Sequence, residues 1–238
     1  MKAFYNVIKI IIDEIIALVA LIILAIPFLV VAIIIKCTSK GPVFFKQKRV
    51  GKNNKLFYIH KFRTMRIDAP HDTATHLLEN PDQYITKIGK FLRKTSMDEL
   101  PQIIDVLFGK MNFIGMRPAL WNQFDLIEAR NKKNLYKAPV GISGWAQTHG
   151  RDTISIEDKV ELDAYYYEHY GLWIDIKCFF LTILKVFKHD DVVEGGTGEL
   201  EKEEAEKHIA EQEVAATAND VKIDDSNVEE VSIDEVTK

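Results

Sequence analysis

The longest feature in the hydropathy pattern is an apolar run, residues 15–35, in which 21 consecutive positions carry no charge. As a straight helix rising roughly 1.5 Å per residue it reaches about 31 Å, enough to cross a bilayer core of about 30 Å. It is longer than the apolar region of a signal peptide and no cleavage pattern follows it, so it reads as a retained membrane element. Pro27 stands near its middle, where a proline removes a backbone donor and clashes one turn back. Two topologies stay open: a kinked span, or a chain that turns back so that both ends remain on one side. Lys36, Lys40, Lys46, Lys48 and Arg49 crowd the C-terminal flank and place it in the cytoplasm. The nearly neutral N-terminal flank, with Lys2, Lys9, Asp13 and Glu14, fits either topology.

Beyond the run the period changes. Residues 43–50 and 56–63 are rich in β-formers and are separated by "GKNNK", which predicts a hairpin. Alternation puts Phe57, Ile59, Lys61 and Arg63 on one strand face, and two cations on an otherwise apolar face either meet an anion or project into water at the strand end. "HDTATHLLENPDQ" is a polar linker. "YITKIGKFLRK" has Ile85, Ile88 and Leu92 on one face and its lysines elsewhere, an amphipathic helix. "PQIIDVLFG" predicts a second short helix between Pro101 and Gly109. "NFIGMRPALWNQ" and "APVGISGWAQTHGRD" read as loops built on Gly and Pro. "SIEDKVELDAYYYEHYG" is a helix capped at Ser155, and "LWIDIKCFFLTILKVF" a very apolar helix suited to a core or to the membrane interface.

Charge divides the chain. Residues 194–238 carry 15 acids and 4 bases, whereas residues 1–193 carry 27 bases and 20 acids. The acidic end has no aromatic residue and too few apolar ones to offset chain entropy, so it reads as a disordered tail. A basic body implies an anionic partner: phosphate, nucleotide, nucleic acid or an anionic membrane surface. Cys37 and Cys178 are far apart without metal-ligand spacing, and both read as plain apolar residues.

The candidate chemistry lies in "LRKTSMDELPQ". Ser96 with Glu99 matches a capping box, and acids in a first helical turn complement the macrodipole. The same placement, before a helix opened by Pro101, keeps Asp98 and Glu99 ionised, and an ionised carboxylate is a nucleophile and a Mg²⁺ ligand. With Arg93, Lys61 and Arg63 available for phosphate, the set suits phosphoryl transfer, whose main requirement is neutralised charge around phosphorus. Both readings of the pair stay open on pattern alone. His60, His149 and His169 read as loop or surface residues, and Trp145 and residues 165–167 as packing. No GxGxxG or Walker loop is present, against a Rossmann or P-loop site.

Taken together, "FFKQKRVG", "HKFRTM", "KIGKFLRKTSMDELPQIIDVLFGKMNFIGMRP" and "GISGWAQTHGRD" resemble the bacterial sugar transferase family, the monotopic phosphoglycosyl transferases, over residues 9–188. The resemblance implies transfer of a sugar 1-phosphate from a UDP-sugar to polyprenyl phosphate with Mg²⁺, at the start of exopolysaccharide, capsule or other lipid-linked glycan synthesis. Asp98 would attack the β-phosphorus, releasing UMP and leaving an aspartyl phosphosugar for the lipid phosphate to attack. Glu99 would assist, the two acids serving as metal ligands. Lys61, Arg93 and Arg117 would bind phosphate, and Arg151 the nucleotide or sugar. The implied partners are the UDP-sugar, polyprenyl phosphate, the membrane and downstream glycosyltransferases, with no nucleic acid, at the cytoplasmic face of a bacterial cell membrane. The implied fold is α+β and mostly helical. It has an N-terminal re-entrant membrane helix broken at Pro27 (residues 1–40), a β-hairpin and amphipathic interfacial helices around a single catalytic core (41–193), and the acidic tail (194–238).

Three positions depart from the family pattern. Met116 stands where the family has the first proline of Pro-Arg-Pro, Val140 where it has a proline before the glycine at 141, and Ile10 where a basic residue is common. Because proline stiffens a loop by fixing φ, the first two predict looser loops around Arg117. The competing class is a non-enzymatic membrane-surface module that binds anionic lipid or an acidic partner.

Overall fold

In the computed structural model, which describes residues 2–70, 81–150 and 154–188, the apolar run lies within one long helix, α1 (Lys2–Thr38). Lys9, Asp13, Ala17, Val31 and Ile35 are buried along one stripe, with Leu21, Leu24 and Phe28 half-buried between them. Their spacing is the helical period, so a single face of α1 rests on the protein along its whole length. The other faces, from Phe4 and Ile11 through Ile22 and Ile26 to Ile33, are apolar and exposed. α1 continues through Pro27, which lies on the exposed side. The expected break is thus not an interruption of the helix. Proline removes one backbone donor, and packing on both sides of it holds the register.

The first part of α1 is held by a polar network. Lys9 Nζ pairs with Asp175 at 2.7 Å and Asp13 at 3.6 Å. Asp13 accepts from Asn112 Nδ2 at 2.8 Å and from the Phe113 N–H at 3.2 Å. Tyr5 and Tyr166 donate their hydroxyls to Asp175 at 2.6 and 2.8 Å. Lys2 Nζ donates to the carbonyls of Tyr167 and Glu168, each at 3.0 Å, and so supplies a cation at a helix C-terminus.

The hairpin forms as expected from β1 (Phe44–Val50) and β2 (Leu56–Phe62), antiparallel with Lys61 opposite Phe45. Asn53 and Asn54 take the left-handed conformation in its turn, which Asn tolerates better than most residues. β4 (Ala119–Leu120) pairs with the other edge of β1, giving the order β2-β1-β4. The amphipathic helix is α2 (Lys87–Lys94), capped by Thr86, whose hydroxyl accepts from the Gly89 N–H at 3.0 Å. Gly89 lets α2 approach the end of β2: a Cβ there would sit 1.9 Å from the Thr64 carbonyl oxygen. α3 (Gln102–Leu107) follows with Pro101 at its cap, and Gly109 at φ +65° leads the chain away from it.

The two segments read as loops contain regular structure. β3 (Asn112–Ile114) and β5 (Gly141–Ser143) pair in parallel, Asn112 opposite Gly141, and α5 (Trp145–Gly150) follows. Three-residue strands are too short for alternation to register. Met116 and Val140, the two departures from the family's prolines, face each other across an extension of this pair. The Met116 N–H donates to Pro139 O at 2.9 Å and the Gly141 N–H to Met116 O at 2.9 Å. The expected loosening is therefore corrected. Met116 supplies a backbone donor that proline lacks, and the loop is tied by hydrogen bonds instead.

α4 (Phe124–Lys132) was not foreseen from the pattern. α6 (Ile156–Glu168) begins where expected, with Ser155 Oγ accepting from the Asp158 N–H at 3.1 Å. α7 (Leu172–Lys188) buries Ile174, Asp175 and Cys178 on one side and exposes Trp173, Ile176, Phe179 and Phe180 on the other. Cys178 is thus the apolar core residue expected, whereas Cys37 is exposed on α1 because its position is off the buried stripe. The acidic tail and residues 71–80 lie outside the described residues.

Candidate active site

A cleft of ≈ 810 Å³ opens between two walls. One wall is the β1–β2 hairpin and the segment after it, and the other is β5 with α5, α6 and α7. Asp98 and Glu99 lie at its floor in a 3-10 turn, Met97–Glu99, directly ahead of α3. Lys61 from β2, Arg93 from α2 and Arg117 from between β3 and β4 converge on the same floor. Three elements remote in sequence thus deliver three cations to one carboxylate pair.

Glu99 joins them. Its Oε1 accepts from Lys61 Nζ and from Arg117 Nη2, both at 2.7 Å, and its Oε2 accepts from Arg117 Nη1 at 3.3 Å. Burial alone would raise this carboxyl, but Arg117 and Lys61 outweigh it and hold Glu99 well below the usual carboxylate range. The capping box suggested by Ser96 and Glu99 is absent. Ser96 is left-handed at φ 55° and its side chain makes no cap bond, because charge-assisted bonds to two cations outcompete a neutral cap for the Glu99 carboxylate.

Asp98 differs from its neighbour. Burial pushes its carboxyl up and so does the adjacent Glu99, with Lys61, Arg93 and Arg117 opposing them. Its carboxylate makes no hydrogen bond or ion pair among the described residues. Adjacent acids with pKa values pushed apart are the pattern of two carboxylates with different tasks. Here one is a fixed anion that organises cations and the other is uncommitted.

The supporting contacts show why the cations stand where they do. The buried Asp105 accepts from the His60 backbone N–H and pairs with His60 Nδ1, both at 2.8 Å, anchoring β2 one residue before Lys61. Arg93 Nε donates to Thr64 Oγ1 at 2.9 Å. Arg130, 1 % exposed, pairs with the buried Asp163 at 2.6 Å and donates through Nη1 to the carbonyl of Arg117 at 2.9 Å. None of Asp105, Thr64, Arg130 or Asp163 was singled out from sequence. Asp105 left a signal, a lone acid inside the apolar "IIDVL", while nothing in the pattern marks the other three. Arg63 was grouped with Lys61 but turns away, donating to the carbonyls of Lys40 and Ser39 at 2.6 and 2.9 Å. His60 is a structural partner of Asp105, and His149 and His169 stack on Trp145 and Tyr165. Arg151 lies outside the described residues.

For a metal, the described residues hold no cluster of three or more His, Cys, Asp or Glu side chains. Mg²⁺ is commonly bound by one or two carboxylates with substrate phosphates and water. The uncommitted Asp98 fits that donor set, whereas Glu99 already has both oxygens on cations.

The profile of the family described as bacterial sugar transferase matches residues 4–189. A Xanthomonas campestris protein named UDP-glucose:undecaprenyl-phosphate glucose-1-phosphate transferase is 37 % identical over 191 residues, 77 % of this chain and 39 % of that protein. An Aeromonas hydrophila protein, named UDP-N-acetylgalactosamine-undecaprenyl-phosphate N-acetylgalactosaminephosphotransferase, is 41 % identical over 65 % of this chain and 38 % of its own length. The Bacillus subtilis sugar transferase EpsL is 39 % identical over 67 % of this chain and 77 % of its own length. The chain spans about two fifths of the length of the first two relatives.

Proposed function

Because the chain belongs to the bacterial sugar transferase family, we propose that it moves a sugar 1-phosphate from a UDP-sugar to polyprenyl phosphate, as the first membrane step of exopolysaccharide, capsule or another lipid-linked glycan. The observation that carries this reading is the uncommitted Asp98 beside a Glu99 that holds Lys61 and Arg117 at the floor of a large cleft.

In the first half-reaction an Asp98 carboxylate oxygen attacks the β-phosphorus of the donor. An Oδ–P bond forms, the bond from that phosphorus to the bridging oxygen breaks, and UMP leaves with the electron pair. In the second, an oxygen of the lipid phosphate attacks the same phosphorus, the new diphosphate bond forms and Asp98 is released. Lys61, Arg93 and Arg117 offset charge on the transferring phosphoryl group, which is the main need of such a transfer. Arg151 is assigned to the nucleotide or sugar. Mg²⁺ supplies further neutralisation of the diphosphate. Asp98 and the donor's phosphates would hold it, and Glu99 would join them only by giving up one of its ion pairs.

The packing of α1 supports a topology with both ends on one side. Lys2 at one end and Ile35 near the other both rest on the same body, so α1 cannot place its ends on opposite sides of a bilayer while that body stays outside it. Embedding in one leaflet at the cytoplasmic face, with both ends of α1 on the same side as in a re-entrant element, fits that packing and the apolar faces of α1 and α7. Purified protein in detergent, given Mg²⁺, undecaprenyl phosphate and a panel of UDP-glucose, UDP-galactose and UDP-N-acetylgalactosamine, is expected to release UMP from at least one donor. Absence of UMP from every donor, with lipid binding that weakens steeply in salt, contradicts the enzyme and favours a charge-driven binder.

A further inference from the structure

We propose that the end of the cleft formed by Phe44, Phe45, Phe62, Met65 and Ile67 receives the first isoprene units of the lipid acceptor, an inference that rests on the transferase reading above. A polyprenyl phosphate is an anion on an apolar chain. Its site must set cations beside an apolar wall, and that wall must continue into the membrane element.

The hairpin end meets both conditions. Phe45 stands directly opposite Lys61 on one face of the β1–β2 pair, and Phe44 opposite the buried Phe62 on the other; all four line the cleft at the strand end, so Phe45 joins the exposed Phe44 to the cationic floor. Phe62 stacks on Phe44 with ring centroids 5.5 Å apart and meets Phe28 of α1 edge-on at 5.3 Å. An aromatic run therefore leads from the membrane helix, one residue beyond Pro27, to the rim of the cleft. Phe44 is 40 % exposed and Ile67 is 58 % exposed, so apolar surface is left uncovered there. Of the cations lining this part of the cleft, Arg63 is held by the Lys40 and Ser39 carbonyls and Arg66 is paired with Asp68 at 2.6 Å, which leaves Lys46 beside Phe45. The facing wall presents Ser143, Gln147, Thr148, Lys159 and Thr182, polar groups suited to a nucleotide or sugar and unsuited to an isoprenoid.

The test is steady-state kinetics on the full chain in detergent micelles, with undecaprenyl phosphate as acceptor and the donor identified in the UDP-sugar panel. The variants are Phe44→Ala with Ile67→Ala, Phe44→Leu, and Phe108→Ala as a control. Phe108 is 69 % exposed and does not line the cleft, so it removes a comparable apolar surface elsewhere. The double variant is expected to raise the acceptor KM about tenfold, the effect of losing one to two buried apolar contacts. Its donor KM should stay unchanged. Phe44→Leu should recover most of the loss, and Phe108→Ala should leave the acceptor KM where it was. An unchanged acceptor KM in the double variant, or an equal rise with Phe108→Ala, overturns the inference while leaving the transferase reading intact. A wild-type chain that transfers from no donor overturns the transferase reading itself.

Discussion

Asp98 and Glu99 are chemically alike and adjacent, yet their surroundings hold them differently. Glu99 holds Lys61 and Arg117 together across the floor of the cleft, and Asp98 feels the same cations without forming a hydrogen bond or ion pair among the described residues. Asp98→Asn is expected to keep the volume and the fold while lowering UMP release below about one per cent, since loss of an activated nucleophile costs many powers of ten. Thermal melting should be unchanged. Glu99→Gln should act differently, because it removes the anion that two part-buried cations share. Its cost is about 1.5–3 kcal/mol of stability in a denaturant melt, together with a large loss of rate. A Glu99→Gln protein with wild-type stability would show that Lys61 and Arg117 are placed by other contacts.

The elements that deliver these residues are short and mutually supported. Arg130 on α4 and Asp163 on α6 form a buried pair that also holds the Arg117 carbonyl, so Arg130→Met should cost about 3–5 kcal/mol by leaving a buried carboxylate uncompensated. Asp163→Asn in the same chain should recover part of it. Met116→Pro should cost about 1–3 kcal/mol, because Pro139 O loses the donor that Met116 supplies. A melt unmoved by Met116→Pro would mean that the β3–β5 extension does not tie the Arg117 loop. Long or strongly patterned elements were legible in the sequence: α1 from its apolar run, the hairpin from alternation around two asparagines, and α6 from its Ser155 cap. β3, β4 and β5 were not, because their order comes from pairing between segments far apart in the chain. The same holds at the site. Lys61 and Arg93 were legible as cations near the carboxylate pair and Arg117 through the resemblance, whereas Arg130, Asp163 and Asp105 act through buried pairs that only the fold brings together.

For the whole molecule the question is how a helix long enough to span a bilayer serves a body that rests along its full length. In a Cys37→Ser background, a cysteine at position 2 should be shielded from an impermeant thiol reagent applied outside intact cells. Pro27→Ala should leave it shielded, because contacts on both sides of Pro27 hold the two ends of α1 to the body. Labelling of the unmodified Pro27 chain from outside would make α1 a single-pass anchor. Removal of residues 199–238 should leave kcat unchanged, because that composition has no core to contribute. A tenfold fall in the purified truncation would contradict it. A phosphosugar carried on Asp98 is tested by mixing the purified protein with the UDP-sugar identified in the donor panel and Mg²⁺ in the absence of lipid acceptor. The account predicts a rapid burst of UMP approaching one per active enzyme, with the sugar phosphate retained on the protein at Asp98 and no burst from Asp98→Asn. UMP that appears only after polyprenyl phosphate is added would show direct transfer between the two substrates and contradict the covalent route.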